Sequence, residues 1–253
     1  MRLRIGALVA SVAAWAVVWA EPVIAVPVYS DTFDGGAPSV WTSTPGAPSV
    51  ETTPVGDRRF LGEFTDELVV LSLTDLPAHN RVRVEFDLLI LRSWDGNNPA
   101  FAGPDTWTAS VEGEPPLFSA TFNNVGGVQT FPNQSNGALN PHQTGAEEAG
   151  TLGFEALVMF EVLCCLDAVY HIALEFEHVA VNLVLEFVAL GLQKEDYSAL
   201  GFFEPDESWG FDAVVVTVAT VPAPATVLLL TAGLAALAAL RHRWTSTGGR
   251  RCR

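Results

Sequence analysis

Trp94-Asp95-Gly96-Asn97-Asn98, followed by Asp105 and Trp107, is the stretch of this 253-residue chain whose side chains best suit a ligand. Sugar recognition needs a flat apolar face for a pyranose ring and short planar polar groups for its hydroxyls. Trp94 and Trp107 would supply the face. Asp95, Asn97 and Asp105 would supply donors and acceptors, displayed around a Gly-Asn-Asn-Pro turn. The competing reading buries both indoles, because large aromatics are mostly interior.

Catalytic signatures are scarce. His171 and His178 lie seven residues apart, which is not the His-Glu-x-x-His spacing and puts them on opposite faces of an extended strand. No Gly-x-Ser-x-Gly nucleophile elbow occurs. The single lysine, Lys194, follows Gln193 and not a glycine-rich loop, so there is no Walker phosphate site. Beside Glu195 and Asp196 it would stay protonated, which argues against a Schiff base. Paired carboxylates of the glycosidase kind stay open among so many acids. Glu175 and Glu177, two apart on one strand face, read equally well as hydrophilic exterior.

Charge is unevenly spread. The chain has 13 Lys and Arg against 29 Asp and Glu, a net −16, and seven of the basic residues lie at its two ends. The body from Val26 to Val221 holds six basic residues and 28 acids, a net −22. Nucleic acid is excluded as a partner, since phosphate binding needs clustered Lys and Arg. A hydrophobic fraction of 49% excludes a disordered chain.

The ends read as addresses. Arg2 and Arg4 precede an apolar run from Ile5 to Ala20, and Val23-Ile24-Ala25 closes the stretch after it. A basic start, an apolar core and a small residue at the cut make residues 1–25 a secretory signal cleaved after Ala25, with Ala20 as the alternative. In the tail, residues 221–253, Pro222 and Pro224 precede an uncharged run from Ala225 to Leu240, and Arg241 and Arg243 follow it. Sixteen residues at helical rise span about 24 Å, close to a hydrocarbon core, and the arginines fix the far end in the cytoplasm.

This tail resembles the PEP-CTERM sorting signal. Pro222 and Pro224 match its two prolines, with Ala223 where glutamate is usual; Gly233-Leu234 lies in the apolar segment, and Arg241 and Arg243 open the basic cluster. The resemblance implies recognition by exosortase at the inner membrane. Release or attachment at the cell surface or in the extracellular matrix would follow.

The body, residues 26–220, reads as strands. Val82, Val84, Phe86, Leu88 and Ile90 alternate with Arg81, Arg83, Glu85 and Asp87; Tyr170, Ile172, Leu174 and Phe176 alternate with His171, Ala173, Glu175 and Glu177. Leu183, Leu185 and Phe187 repeat the pattern, and 67–73, 106–112 and 117–122 are further candidates. Phe211 to Val218 is nearly continuous, as for a strand covered on both faces. Residues 152–169 fit strand or helix and are taken as strand. Cys164 and Cys165 predict two buried thiols in an apolar strand, or else a vicinal bridge. Short strands separated by turn clusters predict an all-β, two-sheet antiparallel sandwich.

Scattered pieces of the body resemble exported jelly-roll domains of the galactose-binding or lectin type. They are Asp31-Thr32-Phe33-Asp34-Gly35, residues 59–64, 92–97 and 103–107, and the closing Asp206-Glu207-Ser208-Trp209-Gly210-Phe211-Asp212. The resemblance implies a structural calcium ion tying an early strand to the last. Asp31, Asp34 and Asp212 are the candidate ligands, with Glu63 behind them. The expectation is then a non-enzymatic surface protein, a jelly-roll-like sandwich between a signal peptide and a transmembrane tail, that binds or organises extracellular polysaccharide. A polysaccharide-active enzyme or a purely structural adhesion protein on the same fold are the alternatives.

Overall fold

The period-two runs become strands. A computed structural model describes residues 24–97, 103–158, 161–193 and 205–221. In chain order the strands are β1 (Ile24–Asp31), β2 (Trp41–Thr44), β3 (Val50–Thr52), β4 (Arg59–Phe64), β5 (Leu68–Leu73), β6 (Arg81–Arg92), β7 (Thr106–Val111) and β8 (Pro116–Thr121). Then come β9 (Val128–Gln129), β10 (Asn140–Pro141), β11 (Glu148–Ala149), β12 (Glu155–Val158), β13 (Glu161–Cys164), β14 (Asp167–Glu177), β15 (Leu183–Leu190) and β16 (Glu207–Thr220). Asn98, Lys194 and the tail residues Pro222, Pro224, Gly233, Arg241 and Arg243 lie outside the described residues, as does most of the leader. Among the described residues no helix is long and apolar enough to cross a membrane.

Two antiparallel sheets form the sandwich. One runs β11-β14-β6-β16-β4-β3, with β1 also paired to β16; the other runs β2-β5-β15-β7-β8. The alternating residues of β6 and β14 fall as their sequence requires. Val82, Val84, Phe86, Leu88 and Ile90 face inward with Tyr170, Ile172, Leu174 and Phe176, against Leu183, Leu185 and Phe187 of the opposite sheet. Rings fill the middle: Phe187 and Phe211 lie 4.8 Å apart, and Trp107 stacks on Phe187 at 5.8 Å. Such pairs contribute about 0.5–1.5 kcal/mol each beyond their buried area. The reverse faces of β6 and β14 are also covered at one end, where Leu89, Leu91 and Val169 pack with Phe60, Leu152 and Phe154.

β16 is the central strand. It follows β6 from Glu207 opposite Arg92 to Ala219 opposite Arg81. Its other side takes β4 near Trp209 and Phe211, then β1 from Asp31 opposite Val214 to Ile24 opposite Thr220. A cut after Ala25 would therefore trim two paired residues from β1, whereas a cut after Ala20 leaves the strand whole.

Two expectations need correction. The apolar run 211–218 is not covered on both faces throughout: Trp209 and Phe211 point inward, a bulge inserts one residue between Asp212 and Val215, and Val214, Val216 and Val218 then take over the inward face. Ala213 at the bulge adopts φ +50°, and the extra residue switches the side-chain phase. The cysteines are not buried thiols. Residues 152–169 form the β12–β13 hairpin and the start of β14, β13 is exposed along its length, and Cys164 and Cys165 at its end are disulfide-bonded.

Candidate functional site

The loop after β6 is built from side chain upward. Gly96 has φ +63°, and a Cβ there would meet the Val128 carbonyl at 2.5 Å and the Asn123 Cβ at 2.6 Å, so only glycine fits. Asn97 N–H donates to the Val128 carbonyl at 2.8 Å, and Asp105 N–H donates to the Gly96 carbonyl at 2.9 Å. The Asn123 amide donates to the Asp95 carbonyl at 2.6 Å. The Asp105 carboxylate Oδ2 accepts the Gly96 amide at 2.9 Å and the Asp95 amide as well. Among the described residues of the loop, Asp95, Gly96, Asn97 and Asp105 are held by these inward backbone bonds.

The two indoles do not form a stacking face. Trp94 is fully buried, donates from Nε1 to the Ser208 carbonyl at 2.8 Å and packs edge-on to Phe122. Trp107 is fully buried among Phe86, Phe118, Phe187, Trp209 and Phe211. The expected aromatic platform is thus a part of the core, which is where their apolar area is most stabilising. Asp95 and Asn97 stay partly exposed at the loop rim, with Gln193 beside them; Gln193 donates from Nε2 to Asp95 Oδ2 at 2.9 Å.

The expected calcium ligands each have a partner of their own. Asp31 accepts the Phe33 amide, Asp34 accepts the Thr32 hydroxyl at 2.7 Å, and Asp212 accepts Arg58 Nε at 2.6 Å. Glu63 pairs with Arg92 at 3.1 Å. Arg58 reaches Asp87 and Glu148 too, at 2.6 and 3.2 Å, so a guanidinium already serves as the cation that joins these strands. Among the described residues Asp31, Asp34 and Asp212 are not a group of three converging carboxylates.

A different set does gather. Asp95, Asp105 and Glu207 each offer a carboxylate oxygen, and these oxygens lie within 4.8 Å of one another. Two of the residues were expected at a ligand site; Glu207, the first residue of β16, was not. It shares strand parity with Trp209 and Phe211, so an inward-facing acid was the legible signal. Pairing of β16 with β6 at Glu207 and Arg92 carries it to the loop. Asp105 and Glu207 are fully buried. Glu207 Oε2 accepts the Gln193 amide at 2.6 Å, whereas its Oε1 and Asp105 Oδ1 receive no amide, hydroxyl or guanidinium donor; the two carboxyls instead lie in hydrogen-bonding contact with each other, which needs a proton between them or a cation.

Burial holds all three carboxyls above the ordinary range. Asp95 is pushed up to about 6, chiefly by desolvation and partly by the charge of Asp206, against the hydrogen bond from Gln193. Asp105 is pushed up to about 7 by burial and by the charge of Asp95, opposed by the amides of Asp95 and Gly96 and by a hydrogen bond with Glu207. Glu207 is raised by burial and then by the charge of Asp105.

No family model matches the chain, and none of the curated proteins matches it. Among solved structures it is similar to the C-terminal CBM6 of LamC, a marine laminarinase of Zobellia galactanivorans, at 7% identity and a TM-score of 0.32 over 78% of this chain and 99% of that one. It is similar to the CBM22-1–GH10 modules of Clostridium thermocellum xylanase 10B, solved with xylohexaose, at 11% identity and a TM-score of 0.32 over 76% of this chain and 28% of that one. The K3 cleaved adhesin domain of Lys-gingipain from Porphyromonas gingivalis W83 gives 11% identity and a TM-score of 0.29 over 76% and 98% of the two chains.

Proposed function

We propose that this chain is an exported, non-enzymatic protein that binds polysaccharide through the β6–β7 loop, after sorting by exosortase through its proline-marked tail. The observation that carries the binding reading is the loop itself. Its described backbone, at Asp95, Gly96 and Asn97, is held by the Asp105 carboxylate, Asn123 and Val128, while Asp95, bonded to Gln193, and Asn97 stay partly exposed. Planar groups held in place lose little entropy when they bond sugar hydroxyls. With a body charge of −22, a polymer of uronates or sulfates is repelled, so the ligand class is a neutral polysaccharide.

The catalytic alternative is less well supported. Glycosidase carboxylates flank the scissile bond at about 5–9.5 Å with room for a sugar between them. Asp105 and Glu207 are fully buried, and the oxygens of the three acids lie within 4.8 Å of one another, leaving no such gap. The test is retention of the purified protein on a panel of insoluble neutral glycans, with reducing ends assayed in parallel. Retention is expected on at least one polymer, weakened by Asn97→Ala, with no release of reducing sugar. Absence of retention throughout, or release of reducing ends, would overturn the reading.

A further inference from the structure

We propose that Asp95, Asp105 and Glu207 bind one divalent cation of the hard, oxygen-seeking class, with calcium the ion that suits them best, and that this ion ties the β6–β7 loop to the start of β16. Elsewhere in this chain a buried carboxylate is fully provided for. Asp167 accepts the amides of Thr151 and Leu152 on one oxygen, at 2.8 and 3.0 Å, and those of Gly153 and Phe154 on the other, at 3.0 and 3.3 Å. Asp105 and Glu207 differ: each is fully buried, each has one oxygen bonded to backbone amides, and each has a second oxygen with no donor from outside the pair. Buried polar atoms in folded proteins find partners, so two facing carboxyls without an outside donor need either one shared proton or a cation, and the third carboxylate, Asp95, which that proton would leave unserved, points to the cation. No arginine or lysine among the described residues pairs with any of the three acids.

Geometry and donor chemistry agree. Oxygens on opposite sides of a calcium ion, with bonds of about 2.4 Å, stand about 4.8 Å apart. The three acids each bring an oxygen within 4.8 Å of the other two, close enough for one ion to touch all three. The set contains carboxylates alone, with neither sulfur nor imidazole, which favours calcium or magnesium over zinc or copper. The half-exposed Asp95 gives the ion a route from solvent, and the remaining ligands would come from water. This inference does not depend on glycan binding.

The test uses the full-length chain in detergent, stripped with a chelator, desalted and titrated with calcium chloride by calorimetry and by thermal melting. Saturable uptake near one ion per chain and a rise in Tm are expected. Glu207→Gln, and separately Asp95→Asn, should weaken uptake about tenfold or more, since affinity follows the number of charged ligands. Asp212→Asn should leave it intact. Asp95 is the milder site, and circular dichroism verifies that its variant folds. Neither heat nor a Tm change with calcium or magnesium would overturn the inference, as would unchanged uptake in both variants. Loss of glycan retention with an intact titration would count against the loop as a sugar site and not against the ion.

Discussion

Burial decides what individual residues do here. For Trp94 and Trp107 the sequence leaves a sugar-stacking face and burial in the core both open, and both indoles are fully buried. Their local spacing could not reveal this, since Phe187, Trp209 and Phe211, which enclose Trp107, come from distant parts of the chain. Trp107→Ala should therefore destabilise the fold by about 3–5 kcal/mol, as deletion of a buried ring does, and urea denaturation will show it. If Trp107→Ala keeps the wild-type midpoint but loses glycan retention, the core assignment is wrong. Gly96→Ala should cost about 2 kcal/mol or more, because an L residue resists positive φ and the new Cβ meets backbone at 2.5 Å. Asp95 and Asp105 were legible as a pair through the loop they share. Glu207 was not, because only the pairing of β16 with β6 brings residues more than a hundred positions apart into one cluster.

Elements were far more legible, since a half-buried strand writes its own period. β6, β14 and β15 place their inward residues where the alternation put them, and the strands expected at 67–73, 106–112 and 117–122 appear as β5, β7 and β8 within a residue or two. β16 misled because a bulge splices two inward phases into one apolar run. At the end of the β6–β14 ladder, His79 stacks on His178 with ring centroids 5.1 Å apart, and His79 Nε2 meets His178 Nδ1 at 2.8 Å. That contact needs at least one ring to keep a lone pair. Burial, then the charge of His79, lowers the pKa of His178, so the folded state prefers the neutral ring. The stability this contributes is present above the unfolded value of about 6.5 and is lost as the pH falls below it. Tm measured between neutral pH and pH of about 5 should drop more steeply in the wild type than in His178→Asn; parallel curves would exclude the pair as the source.

At the scale of the whole chain, the proposed sorting of residues 221–253 has a direct test. In cells lacking exosortase the uncut chain should collect in the inner-membrane fraction, whereas intact precursor in the cytosol would contradict export. The pairing of Ile24 with Thr220 adds a directional consequence. β16 starts at Glu207 and ends at Thr220, a run of about 40 Å at strand rise, so the start of β1 and the end of β16 lie side by side, a strand's length from the acidic cluster. The first and last strands of the body thus close on each other at the end of β16 remote from Glu207, and peeling either one away would bare the other's row of backbone groups.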